Sequence, residues 1–192
     1  MSPPDQGHYA RMPFSSWWAI LFINRHAMKS ANVILREASA LDEPFLWEML
    51  YHSLYVPPGC APFSRDILSR PEIAKYVQGW GRSGDMALIA LDANSYEALG
   101  AAWIRVFIGP EKGYGYVADS TPELGIAVLP EHRGRGIGSL LLQRLVETAT
   151  FRYDALSLSV SADNPAQRLY RRAGFERVRS SGDSITMLKR LK

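Results

Sequence analysis

The sequence predicts a mixed α/β domain, with helices flanking a central mixed β-sheet. The main observation is a change of hydrophobic period within residues 123–151. Leu124, Ile126 and Val128 alternate with smaller residues, which indicates a strand. Apolar residues at three- and four-residue steps then indicate an amphipathic helix: Ile137, Leu140, Leu141, Leu145, Val146 and Ala149. A second alternating segment at 155–160 completes a right-handed βαβ unit with parallel strands.

The first third of the chain predicts a strand, a helix and a weaker helical segment. Residues 33–38 are predicted as the strand and residues 43–54 as the helix, which Ser39 or Asp42 can cap with a side-chain oxygen. Residues 65–78 are weakly helical, because a proline interrupts them.

Further strands are predicted around the βαβ unit. Residues 86–91 and 99–108 form a hairpin across the polar turn at 92–95. Near the end of the chain, short strands are expected around Arg177 and at 185–188. Antiparallel hairpins added to a parallel pair make the predicted sheet a mixed one.

The chain is expected to form one domain. With 192 residues and 47% hydrophobic content it is long enough for one complete core, which we assign to residues 33–192. Residues 1–32 are treated as an N-terminal extension. Met28 directly precedes the domain pattern, so residues 1–27 are interpreted as lying upstream of it. The apolar run at 17–23 is shorter than the ~20 residues of a bilayer span and lacks a signal-peptide cleavage region, so no membrane partner is expected.

Composition and charge argue against several function classes. The net charge of +3 and pI near 9.1 fall short of the dense basic clustering of a nucleic-acid surface, so no nucleic-acid partner is expected. A single cysteine, Cys60, excludes an internal disulfide framework and favours a reducing, cytoplasmic location. The four histidines lack metal-ligand spacing with cysteines or carboxylates, so no metal site is expected.

The turn at residues 133–139 has the composition of a phosphate-binding site. Three glycines in five positions let backbone N–H groups approach a large anion, and the helix start adds unpaired donors and a positive dipole end. A P-loop needs a lysine here, and none occurs between Lys112 and Lys189. A dinucleotide fingerprint needs a third glycine, which would fall at Ser139 or Leu141.

Two motifs in the second half of the chain carry a family resemblance. Arg133, Gly136 and Gly138 fit the pattern Arg-x-x-Gly-x-Gly/Ala. The segment from Asn164 to Phe175 is similar to Asn-x-x-Ala-x-x-x-Tyr-x-x-x-Gly-Phe, although Ala166 lies two positions after the asparagine rather than three. In this order and separation, the motifs resemble the cofactor-binding motifs of the GNAT-type N-acetyltransferase superfamily.

This resemblance implies the GNAT acyl-CoA N-acyltransferase fold, with acetyl-CoA as acyl donor and direct attack by a primary amine in a ternary complex. The acceptor, a small molecule or a peptide, is left open. Near Val128 the strand would separate from its neighbour, so that backbone N–H groups reach the pantetheine arm past the small residues Gly125 and Ala127. The resemblance assigns cofactor binding to these residues: Ile126, Ala127, Val128, Arg133, Gly134, Arg135, Gly136, Ile137, Gly138, Ser139, Asn164, Ala166 and Tyr170.

The resemblance also implies two catalytic residues, Glu123 and Tyr170. Glu123 would deprotonate the incoming amine through water. Its structural alternative is a solvated glutamate at the strand edge, and Asp119 or Glu97 could also reach the cleft. Tyr170 would protonate the departing thiolate, and its alternative is a helix tyrosine packed against the sheet.

Other interpretations stay open at this point. Asn164 is predicted to cap the following helix, with Pro165 at its first position. Trp47, Tyr51 and Tyr55 either pack in or beside the core or line an acceptor pocket. The alternative function is a non-catalytic acyl-CoA-binding sensor or interaction module. The oligomeric state is undetermined, with a homodimer as one option.

Overall fold

The structure is a computed structural model that describes residues 32–192. The predicted extension at 1–32 therefore lies outside the described residues except for its last one. The strands are β1 (Val33–Glu37), β2 (Met86–Asp92), β3 (Ala98–Arg105), β4 (Glu123–Val128), β5 (Ala155–Ser161), β6 (Glu176–Ser181) and β7 (Ser184–Arg190). The α-helices are α1 (Glu43–Ser53), α2 (Pro71–Ala74), α3 (Ile137–Ala149) and α4 (Gln167–Arg172). No helix in this part of the chain has the length and apolar character needed to cross a membrane.

Within the described residues, the seven strands form one sheet in the order β1-β2-β3-β4-β5-β7-β6. β4 and β5 run parallel, with α3 as the connection between them, and all other neighbouring pairs are antiparallel. The predicted mixed sheet flanked by helices is confirmed.

Two apolar cores cover opposite faces of the sheet. Along β3, Ala102 and Ile104 belong to the core that includes α3, whereas Ala101 and Trp103 belong to the core that includes α1. This alternation places the two helices on opposite faces. Each fully buried large apolar side chain contributes roughly 1.5–3 kcal/mol to stability. The central strands are therefore held from both sides.

Three local features differ from the sequence predictions. β3 ends at Arg105, three residues earlier than predicted, and the Arg105 side chain is buried. Ser39 caps the short 3-10 turn at 40–42 rather than α1. α4 begins at Gln167 rather than at Pro165, because the N–H groups of Gln167 and Arg168 bond to carbonyls three residues back and form a tighter turn first.

The parallel strands β4 and β5 separate after their first contact. Their ladder contains the pair Glu123 and Ser157, and no later pair among the described residues. On the other side of β4, the Leu129 N–H bonds to the Leu99 carbonyl at 2.9 Å. Because paired residues alternate in an antiparallel ladder, Ile126 and Val128 direct their backbone groups toward the gap beside β5.

Candidate active site

Two adjoining cavities meet at the gap between β4 and β5. The larger has a volume of about 940 Å³ and is lined by Val128 at the end of β4 and by Gly134 of the glycine turn. The smaller has a volume of about 260 Å³ and contains Glu123 in its lining. The linings of the two cavities share six residues: Ser53, Leu54, Tyr55, Ile126, Asn164 and Tyr170. A ligand that extends from the turn can therefore place its end beside Glu123.

The glycine turn has the geometry of an anion site. Gly134 has φ +74° and Gly136 φ +85°, in the left-handed region that favours glycine. Gly136 is the N-cap of α3, so the N–H groups of Ile137, Gly138 and Ser139 lie in the helix's first turn, where intrahelical partners are missing. These residues fit a diphosphate through backbone donors and the helix dipole.

The Arg133 guanidinium makes hydrogen bonds to two backbone carbonyls of the protein. Its Nε donates to the Val128 carbonyl at 2.9 Å, and its Nη2 donates to the His52 carbonyl at 3.2 Å. The side chain thus ties the glycine turn to the end of β4 and to α1, while also lining the larger cavity. Arg135 is exposed on the same turn.

Glu123 is a buried carboxylate, with 2% of its surface exposed, so the alternative of a solvated strand-edge glutamate is wrong. Its Oε2 accepts hydrogen bonds from the Tyr76 hydroxyl at 3.0 Å and from the Gly115 N–H at 2.8 Å. Oε1 is buried without a hydrogen-bond partner among the described residues. Burial raises the pKa of the Glu123 carboxyl, although these donors and the Lys75 ammonium act in the opposite direction.

The other candidate carboxylates lie elsewhere. Asp119 is exposed and accepts a hydrogen bond from the Tyr116 hydroxyl at 2.7 Å. Glu97 is exposed in the turn between β2 and β3 and accepts from Ser95 at 3.2 Å. Neither contributes to the described lining of the two cavities. Among the candidates, the structure therefore brings Glu123 to the site.

Tyr170 lies where the two cavities join. It is buried, and its ring meets the Phe175 ring edge-on with centroids 6.2 Å apart. Burial raises the pKa of Tyr170 to about 12, so its hydroxyl keeps a proton at neutral pH. The residue is thus packed in the core and lines the site at once. Nearby, Asn164 Oδ1 accepts from the Ala166 N–H at 2.8 Å, which stabilises the turn before α4.

Several site residues lie outside the motifs. Tyr76 and Trp103 line the smaller cavity. A Cβ at Gly125 would collide with the Trp103 indole, so glycine at this position makes room for that side chain. The tyrosines Tyr51 and Tyr55 line the larger cavity, whereas the Trp47 Nε1 donates to Glu43 at 3.2 Å. Tyr76 belongs to the weakly helical segment at 65–78, whose sequence gives no signal that this tyrosine lines the site.

The described residues contain no group of three or more His, Cys, Asp or Glu side chains placed to hold a metal ion.

Comparison with solved structures shows the same fold in several acetyltransferases. The yncA protein of Salmonella typhimurium, solved with acetyl-CoA, has a TM-score of 0.60 and 20% identity over 84% of this chain and 95% of that one. The ribosomal-protein-alanine N-acetyltransferase of Brucella melitensis has a TM-score of 0.57 and 22% identity over 82% and 99%. The phosphinothricin acetyltransferase of Sinorhizobium meliloti, in complex with AcCoA, has a TM-score of 0.58 and 23% identity over 83% and 88%.

Sequence comparison finds a family model that matches part of the chain. A search of curated proteins found no match. Residues 89–177, which span most of the sheet, the glycine turn and α4, match the family model described as the acetyltransferase (GNAT) domain. This part of the chain, which contains the separated parallel strands and the glycine turn, therefore matches a GNAT acetyltransferase domain.

Proposed function

We propose that this protein transfers an acetyl group from acetyl-CoA to a primary amine of a small molecule or peptide, by direct attack in a ternary complex. The observation that carries the proposal is the convergence of Glu123 and Tyr170 on one cavity, which adjoins the larger cavity at the separation of β4 and β5. One group is a buried carboxylate with a raised pKa and the other a protonated hydroxyl. Amide formation needs such a base and acid.

Acetyl-CoA would supply the thioester, and the chain would bind it along the larger cavity. The first-turn N–H groups of α3 would hold the diphosphate, with the glycines that precede them allowing close approach. Backbone N–H groups of Ile126 and Val128 would bind the pantetheine arm and polarise the carbonyl oxygen. Asn164 and Ala166 would line the opposite side.

Glu123 would accept the proton of the amine, and Tyr170 would donate one to the departing sulfur. The test is a panel of primary amines that includes an alanine-starting peptide and phosphinothricin, with release of coenzyme A thiol as the readout. Glu123→Gln is expected to lower kcat/KM about 100-fold at neutral pH and to remove the acidic limb of the pH profile. Activity that survives with an unchanged pH profile would exclude Glu123 as the base.

The alternative, a non-catalytic acyl-CoA-binding module, predicts a different result in the same assay. Coenzyme A would bind with a clear isotherm, and no amine would release thiol. The presence of both Glu123 and Tyr170 in one cavity favours the enzyme.

Domain boundaries and location complete the proposal. We infer that residues 33–192 form the domain and residues 1–32 an extension, so expression from Met28 should retain folding. The exposed Cys60 suits a cytoplasmic location, which imaging of a tagged chain would test. We also propose that the protein forms a homodimer, which light scattering of the purified protein would test.

A further inference from the structure

Tyr76 holds the candidate base from outside both sequence motifs. Its hydroxyl donates to Glu123 Oε2 at 3.0 Å and accepts from the Tyr114 N–H at 2.8 Å. The Gly115 N–H donates to the same Oε2 at 2.8 Å. Two protein donors therefore converge on Oε2, whereas Oε1 is buried without a hydrogen-bond partner among the described residues.

The loop at 113–115 is shaped around this carboxylate. A Cβ added at Gly113 would collide with the Glu123 carboxylate, and one at Gly115 would lie 2.6 Å from the Leu158 carbonyl carbon and 3.0 Å from Glu123 Oε2. At Gly115 a Cβ would meet the backbone of Leu158, and at Gly113 it would displace the carboxylate, so the two glycines allow the loop to approach Glu123 closely. Rotation of the carboxylate out of this orientation would break both bonds to Oε2, so the two donors fix its orientation.

We propose that Tyr76 is a positioning residue that acts through Glu123, because its hydroxyl holds the carboxylate in the orientation in which it receives the proton of the attacking amine. This inference rests on the proposed function, in which Glu123 is the base. In that step a bond forms between the amine nitrogen and the acetyl carbonyl carbon, and the bond from that carbon to sulfur breaks. The amine proton passes to the Glu123 carboxylate, directly or through water, and the sulfur takes the proton of Tyr170.

Other groups surround the carboxylate but make different contacts. Besides Tyr76, the titratable and charged residues that face Glu123 or line its cavity are these: Lys75, Arg105, Tyr55, Tyr114 and Tyr170. Lys75 acts at longer range, because its Nζ donates to the Lys112 carbonyl at 2.7 Å. Arg105 lies opposite Glu123 in the ladder and pairs with Asp85 at 2.6 Å. Within the described chain, Tyr76 provides the side-chain donor to Oε2.

Tyr76→Phe tests the proposal, because it removes the donor and keeps the ring. Losing a hydrogen bond to the ionised carboxylate raises the pKa of Glu123, so the acidic limb of kcat/KM should move to higher pH by roughly half to one unit. KM for acetyl-CoA should stay unchanged. Tyr153→Phe is the matched control, since that hydroxyl donates to the Gly84 carbonyl at 2.9 Å outside the site, and its limb should not move.

A second readout is independent of turnover. Infrared difference spectroscopy follows the protonation of the Glu123 carboxyl directly, with Glu123→Gln to assign the band. A parallel upward shift of this titration and of the acidic limb in Tyr76→Phe supports the proposal. A carboxyl titration that does not move overturns it and leaves the proposed acetyl transfer intact. If the carboxyl titration moves and the acidic limb does not, Glu123 is not the base, and both this inference and that part of the proposed function fail.

Discussion

At the scale of single residues, burial raises the pKa of two acids with opposite consequences for catalysis. Tyr170 remains protonated far above neutral pH, because burial raises its pKa to about 12, whereas the raised pKa of Glu123 makes a stronger base of its ionised form. Tyr170→Phe is therefore expected to lower kcat by at least about 100-fold while leaving the affinity for acetyl-CoA nearly unchanged, since the ring and its contact with Phe175 are kept. Steady-state kinetics and calorimetry with coenzyme A check the two halves of this prediction. A large loss of affinity with little change in kcat would assign the hydroxyl to binding. The family resemblance predicts the roles of Glu123 and Tyr170 from their places at the start of the central strand and in the second motif. The role of Tyr76 could not be predicted in this way, because 47 residues separate it from the carboxylate and folding alone brings them together.

At the scale of elements, the glycine turn and α3 form one unit whose conformation depends on Gly136. This residue caps α3 with φ +85°, and a Cβ there costs about 1–2 kcal/mol. Gly136→Ala should weaken coenzyme A binding about tenfold, because the first-turn N–H groups would no longer point at one anion, while thermal unfolding changes by only a few degrees. Gly182→Ala is the matched control, since it also has a positive φ of +54° but lies in the turn between β6 and β7. Equal effects of the two substitutions on coenzyme A affinity would contradict the role given to the turn. The sequence predicted this element closely, because apolar period and glycine spacing are local signals. The sequence prediction places the start of α4 two residues too early, since the N–H groups of Gln167 and Arg168 bond to carbonyls three residues back rather than four.

At the scale of the whole molecule, the buried pair of Arg105 and Asp85 connects the stability of the sheet to the geometry of the site. The side chains are 1% and 3% exposed, and the Arg105 Nη1 also donates to the carbonyls of Lys75 and Gln78 at 2.8 and 3.0 Å. The Arg105 guanidinium therefore fixes the segment at 75–78, which carries Tyr76, the residue whose hydroxyl donates to Glu123. Arg105 itself is not part of the described lining of either cavity. Arg105→Met leaves the buried Asp85 carboxylate without its charged partner and should cost about 3–5 kcal/mol, which lowers the melting temperature by roughly 10 °C. The control is Arg36→Met, because Arg36 also makes two hydrogen bonds to one carboxylate, that of Asp42, at 2.9 and 2.6 Å, but with 45% of its side chain exposed. Surface pairs contribute about 0–1 kcal/mol, so this variant should melt within a few degrees of the parent protein. Thermal unfolding followed by circular dichroism compares the two directly. Similar losses in both variants would show that burial adds nothing to this pair, and would remove the link between the end of β3 and the position of the base.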